Sequence, residues 1–228
     1  MARSQLMVTI TKSLTNSFVK SNRTAKKSIP LSSKFQDFDW ITQRSGIPWL
    51  KLALEIPYQD ILTEIKNNAE LLVDHRDDYG EHQGWRSFCI HGKGLTQTQY
   101  SEDDKPFVWI PEIIERMPVT VNYFKSWNLD FCRLRVMALD PGGFVSLHRD
   151  EKTSILRPIN IAITQPEECE FVMEGWGTVP FTPGDAFMLD ISNLHAVVNN
   201  SNETRYHIIA HYNTVPDSFK TIVEQSYC

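Results

Sequence analysis

The spacing of apolar residues changes along the chain, and each change predicts a different element. Between Pro57 and Val73, Ile61, Ile65, Ala69 and Leu72 recur at the helical interval, which predicts a helix laying one face on a sheet. Pro57 stands where a first helical turn tolerates it. Ile113, Ile114, Met117, Val121 and Phe124 predict a second helix over Pro111 to Trp127, bent or divided at Pro118 because proline removes a backbone donor and crowds the preceding turn. From Phe131 the period falls to two. Short apolar runs separated by Gly, Pro, Asn and Asp then continue to Tyr212, the pattern of a sandwich or barrel of short strands. Trp49 to Leu54 and Trp85 to Ile90 predict two earlier strands, and Val215, Phe219 and Val223 predict one amphipathic helix in the tail, 213–228.

With 228 residues, 41% of them apolar, the chain can bury a full core. The expected organisation is a single domain over residues 37–228, with helix and strand support in 37–128, the β core in 129–212 and a tail in 213–228. A net charge of −5, from 28 acidic and 23 basic side chains, provides no overall basic field for nucleic acid. Cys89, Cys132, Cys169 and Cys228 form no C-x-x-C pair and read as free thiols in a reducing compartment. No apolar run approaches the roughly 20 residues that span a bilayer, so a soluble, cytoplasmic protein is expected.

Residues 1–36 differ from the rest: they hold seven Lys or Arg and no acid. This composition predicts a poorly ordered basic arm. Met7, Ile10, Leu14 and Phe18 share one helical face, as in an organellar transit peptide, and a packed strand over Gln5 to Ile10 is a third reading. Asp74 to Gln83 contains His75, His82 and three aspartates without metal-ligand spacing, and reads as a solvated loop.

The chemistry concentrates between Asp140 and Tyr212. His148 and Asp150 follow the predicted turn Pro141-Gly142-Gly143, and in a strand side chains two apart share a face. Both can then reach one metal ion while Arg149 points away. His195, after the turn Thr182-Pro183-Gly184-Asp185 and the apolar strand from Ala186, is the best candidate for a third ligand. Two imidazoles and one carboxylate on one face of an iron leave its other positions open for a co-substrate and dioxygen. Arg205, ten residues after His195, offers a guanidinium fork for the far carboxylate of a 2-oxo acid. His207 shares its strand face, to support Arg205 or to line the pocket. Asn160, Trp176 and Asn193 are further pocket candidates. Ile159, Ile161 and Ile163 alternate with Asn160, Ala162 and Thr164, so Asn160 faces the site if the isoleucines fill the core.

The segment LRVMALDPGGFVSLHRD, Arg157 nine residues after His148, the PGDAFMLD turn, His195 and Arg205 resemble the aspartyl/asparaginyl β-hydroxylase-like group of Fe(II)/2-oxoglutarate oxygenases. The resemblance covers about the last hundred residues, with weaker echoes in Gly84 to Phe88. It implies a mainly β fold with flanking helices, a double-stranded β-helix (jelly roll, cupin-like). It also implies His148, Asp150 and His195 as metal ligands, Arg205 as the 2-oxoglutarate anchor, and Arg157 rather than Asn160 as a carboxylate contact in the pocket. The activity implied is hydroxylation of an unactivated C–H of an amino acid or peptidyl side chain, consuming O2 and 2-oxoglutarate and releasing succinate and CO2. Aspartyl hydroxylases lack a carboxylate ligand. Asp150 therefore makes the chain more similar to relatives that hydroxylate free amino acids such as proline.

Two other classes share parts of the pattern. A cupin isomerase or dioxygenase that needs no 2-oxoglutarate would use His195-x3-Asn199 after a PGD turn, although His148-Arg149-Asp150 lacks the paired histidines and glutamate of the usual first cupin motif. A ligand-binding β-barrel without metal is the non-catalytic alternative. The substrate of the oxygenase, small molecule or peptide, and the oligomeric state are not encoded in any motif.

Overall fold

The computed structural model describes residues 46–75, 81–97, 105–150 and 158–227. The basic arm, Arg157 and Cys228 lie outside the described residues. Eleven antiparallel strands are described: β1 (Trp49–Lys51), β2 (Val73–Asp74), β3 (His82–Gly92), β4 (Val108–Trp109), β5 (Phe131–His148), β6 (Ile159–Ala162), β7 (Cys169–Met173), β8 (Gly177–Thr178), β9 (Ala186–Leu189), β10 (His195–Asn199) and β11 (Arg205–Tyr212). They form one curled sheet in the order β1-β9-β6-β11-β5-β10-β7-β8, with β3 on the other edge of β5 and β2 and β4 on β3. This is a mainly β jelly roll with a few flanking helices.

The helices are α1 (Tyr58–Asn67), α2 (Pro111–Arg116), α3 (Pro118–Ser126) and α4 (Asp217–Gln225). The helix expected over 57–73 ends earlier, at Asn67, and continues as a 3-10 turn, Ala69–Leu71. Pro118 divides the second helix into α2 and α3. No side chain within α3 caps its start. The Glu64 carboxylate of α1 does so instead, accepting from Val119 N at 2.8 Å and Thr120 N at 2.9 Å, a favourable place for a negative charge at a helix N-terminus.

Two apolar clusters separate the faces of the sheet. Ile61, Ile65, Ile113, Val121, Phe124, Phe219 and Val223 of the helices pack with Leu134, Val136, Ala138, Ile159, Ile161, Ile208 and Ala210 on the outer face. Inside the curl, Leu139, Val145, Ala162, Phe171, Phe181, Phe187 and Val197 form the second cluster, free of helix residues. The isoleucines of β6 thus belong to the outer core, and Asn160, 4% exposed, takes the inner face opposite Phe187.

Pro141-Gly142-Gly143 does not end a strand. β5 runs unbroken through it, because the four residues 140–143 form a bulge facing the single residue Gly84 of β3: Trp85 pairs with Leu139 and Gln83 with Phe144. The bulge passes β5 from one partner to another, with Leu139 opposite Arg205 of β11 and Val145 opposite Val197 of β10. Carbonyls freed there are satisfied by Asn199, whose Nδ2 donates to Leu139 O at 2.9 Å and Asp140 O at 3.2 Å. Asn199, the residue that suggested a cupin motif, is thus committed to the backbone. Arg86 holds the same corner through two hydrogen bonds to Asp140. A Cβ on Gly143 would stand 2.8 Å from Asp140 O and 2.9 Å from Gln83 O, both backbone atoms. Gly143→Ala is therefore expected to destabilise the fold by about 1–3 kcal/mol, read as a lower urea midpoint with an unchanged m-value.

Candidate metal centre

His148 closes β5 and His195 opens β10, and the two are direct cross-strand partners. Their rings lie 4.3 Å apart between centroids. Asp150 does not share the strand with His148, as the alternation argument expected, because β5 stops at His148. It follows the strand end, where its N–H donates to Ile191 O at 3.2 Å, and its carboxylate comes within 3.8 Å of His148 Nε2. The ligand atoms of His148, Asp150 and His195 all lie within 4.8 Å of one another, a group able to hold a metal ion.

The hydrogen bonds orient both rings. His148 Nδ1–H donates to Ser146 O at 2.8 Å and His195 Nδ1–H to Asn193 O at 2.9 Å. A carbonyl only accepts, so each Nδ1 carries the proton and each Nε2 keeps its lone pair for a metal. His195 is buried and stacks on Phe171 with a 3° interplanar angle. Burial, and then the neighbouring His148, hold its pKa below the usual histidine range, favouring the neutral form that ligates. Two neutral imidazoles and a carboxylate suit Fe(II) with open positions.

From His195 a row of rings runs deeper into the curl: Phe171 to Phe181 at 6.0 Å between centroids, and Phe181 to His207 at 4.8 Å. It ends at Arg205, whose guanidinium carbon is 5.8 Å from the Phe181 centroid. Arg205 is buried and, among the described residues, its side-chain hydrogen bonds go to neutral groups: Nε to Gln165 Oε1 at 3.1 Å and an Nη to His207 Nδ1 at 2.9 Å. His207 Nε2–H donates to the same Gln165 oxygen at 3.1 Å. Burial lowers the Arg205 pKa to about 10, which still leaves a buried cation at neutral pH.

His207 thus supports Arg205 directly. Trp176 is 43% exposed, on the turn after β7. Asn193 acts through its backbone carbonyl on His195, and its Nδ2 donates to Asp190 O at 2.9 Å. Gln165 escaped sequence reasoning because a lone glutamine beyond a strand carries no pattern. His75 and His82 do not lie in the solvated loop that their sequence predicts. Both are buried: His75 meets Ser87 Oγ at 2.7 Å, and His82 opens β3 with its ring 6.0 Å from that of His148. Trp85, 4.0 Å from the His75 ring and 5.2 Å from the His82 ring, gathers them against the sheet.

Burial places several histidine pKa values below their ordinary range: His91 falls to about 4, and His207 and His211 are also lowered, chiefly by desolvation. Their folded values lie below the unfolded value, so the stabilising effect of their neutral forms is present above about pH 6.5. It is lost as pH falls, because the unfolded chain then binds more protons. Urea midpoints of the metal-free protein are expected to drop between pH 6.5 and 4, the window set by His91, with little change from pH 7 to 8.

Residues 55–213 match the sequence profile of the family described as aspartyl/asparaginyl beta-hydroxylase. No curated protein matches the chain in sequence. Among solved structures, a Pseudomonas putida prolyl-4-hydroxylase aligns at 15% identity over 74% of this chain and 93% of its own, with a TM-score of 0.45. A 2OG-Fe(II) oxygenase family oxidoreductase from Burkholderia pseudomallei aligns at 14% identity over 84% and 97%, with a TM-score of 0.49. A Trichoplax adhaerens prolyl hydroxylase in complex with a hypoxia inducible factor peptide aligns at 13% identity over 75% and 77%, also at 0.49.

Proposed function

The chain belongs to the aspartyl/asparaginyl β-hydroxylase family, and we propose that it is an Fe(II)- and 2-oxoglutarate-dependent hydroxylase of an amino acid or peptidyl side chain. His148, Asp150 and His195 are assigned to the iron, and Arg205 to the distal carboxylate of 2-oxoglutarate. The observation that carries this reading is the buried Arg205 cation, with neutral hydrogen-bond partners, at the end of an aromatic row that begins at His195. A guanidinium buried among neutral partners gains most from a carboxylate that meets it in two parallel bonds.

Each residue has a defined task. Ser146 and Asn193 carbonyls fix the tautomers, so that two Nε2 atoms and the Asp150 carboxylate converge. His207 and Gln165 hold the guanidinium plane, with Gln165 accepting from both. The Phe171 and Phe181 rings lie between His195 and Arg205, and an apolar surround of this kind strengthens a charge pair formed with the guanidinium. Iron and 2-oxoglutarate, when bound, supply the activation of O2 for an unactivated C–H, with succinate and CO2 as co-products. The substrate is a small molecule or a peptide.

Anaerobic addition of Fe(II) and then 2-oxoglutarate tests the assignment. The expected result is a visible charge-transfer band that needs both additions and a 1:1 stoichiometry for each. Iron bound without any such band would move the protein to a cupin-type metal enzyme.

A further inference from the structure

The residues that lead from β9 into β10, 190–194, touch two of the three proposed ligands at once. Ile191 O accepts the Asp150 N–H at 3.2 Å, and Asn193 O accepts His195 Nδ1–H at 2.9 Å. The two ligands depend on these carbonyls to different degrees. His195 is also held by the pairing of β10 on both edges and by stacking on Phe171. Asp150 lies beyond the end of β5 with its side chain 49% exposed, and the bond to Ile191 O is its one backbone hydrogen bond among the described residues.

Asp190 ties this turn together twice. Its carbonyl accepts from Asn193 N at 3.2 Å and from Asn193 Nδ2 at 2.9 Å. Its carboxylate accepts from Ser192 N at 3.3 Å and from Ser192 Oγ. Asp190 is 7% exposed; a carboxylate taken out of water is costly unless hydrogen-bonded, and its charge-assisted bonds are stronger than those between neutral groups. Both ends of the turn are fastened to the sheet, since Asp190 N–H donates to Pro48 O at 2.7 Å, just before β1, and Leu194 O accepts from Glu174 N at 2.8 Å, just after β7. The carbonyls of Ile191 and Asn193 are thereby left with little freedom of direction. Resting on the metal assignment above, we propose that Asp190, which is outside the ligand group, is a positioning residue of the metal centre: its carboxylate, through Ser192, shapes the turn that aims Ile191 O at Asp150 and Asn193 O at His195. A change at Asp190 then displaces a carboxylate and an imidazole together, without touching either side chain.

The test uses the full chain with Asp190→Ala, which removes the acceptor, Asp190→Asn, which keeps an oxygen acceptor without the charge, and Ser192→Ala, which removes the hydroxyl donor and leaves the Ser192 N–H. Circular dichroism first establishes that each variant is folded. In metal-free protein carrying isotopically labelled histidine, the ring nitrogens are read by NMR at about pH 8, where ordinary imidazoles are neutral. His195 is expected as a single Nδ1–H tautomer in wild type, as a mixture in Asp190→Ala and close to wild type in Asp190→Asn. His148, whose Nδ1–H goes to Ser146 O on β5, is expected to keep its tautomer throughout. In anaerobic Fe(II) titration, Asp190→Ala is expected to bind about 10- to 100-fold more weakly, the usual loss when a group supporting a ligand is removed. Ser192→Ala should fall between it and wild type, and Asp190→Asn should recover most of the loss. A purely structural role would lower the unfolding midpoint of Asp190→Ala and leave the His195 tautomer and the Fe(II) affinity where they were, and that result in folded protein overturns the proposal. Equal weakening in Asp190→Asn and Asp190→Ala also overturns it, since the effect would then be one of charge. If Asp190→Ala does not fold, Ser192→Ala decides, and an unchanged tautomer and affinity in that variant overturn the proposal. Wild-type protein that binds no Fe(II) would instead remove the metal assignment, and the tautomer comparison, made without metal, still decides whether Asp190 sets the His195 ring.

Discussion

Arg205→Ala is expected to weaken 2-oxoglutarate binding by about 2–5 kcal/mol, the usual consequence of removing one partner of a buried charge-assisted pair. At about 1.4 kcal/mol per decade, that is roughly 30-fold to several-thousand-fold in the anaerobic titration midpoint. Iron affinity should be unchanged, since none of the triad is altered. Arg205→Lys should recover part of the loss, because a single ammonium cannot reproduce the fork or keep both the Gln165 and the His207 hydrogen bonds. An unchanged midpoint in Arg205→Ala would remove the anchor from the proposal.

His148→Ala and His195→Ala are expected to lower Fe(II) affinity by more than about 100-fold, beyond the range usual for groups that only support a ligand. The fold should persist in both. His148 is the last residue of its strand and its side chain is 30% exposed. His195 is buried, but its strand is paired on both edges, to β5 and β7. Iron content after dialysis, with the circular dichroism of the same samples, checks the prediction. Near-stoichiometric iron in either variant would exclude that histidine as a ligand.

Much of this arrangement was legible in the chain because it rests on local periodicity. The isoleucines of β6 announced their alternation, Pro118 announced the division of a helix, and Arg205 and His207 share one face of one strand as their spacing predicts. His148, Asp150 and His195 were readable as a group because the metal chemistry needs particular residue types. What was hidden depends on contacts between distant segments. Gln165 matters because β6 and β11 are neighbours, which brings its side-chain oxygen to Arg205 and His207. His75 and His82 sit in a polar sequence, yet the sheet closes over them from β3 and β5. Pro141-Gly142-Gly143 has the composition of a turn, and only the pairing of both flanks with β3 makes it a bulge. Arg133 and Arg135 look like the exposed face of an alternating strand. Curling the sheet turns that face inward.

The continuity of β5 makes it a shared beam. The same strand carries Leu139, the register partner of Arg205, before the bulge and His148 after it, and the bulge between them is pinned by Gly143, Asn199 and the Arg86–Asp140 pair. No separate element stands between the segment that carries the proposed 2-oxoglutarate anchor and the histidine proposed to hold the iron. Loosening that corner should therefore be felt at both ends of the beam, and folded Gly143→Ala protein should bind Fe(II) and 2-oxoglutarate more weakly together rather than one without the other.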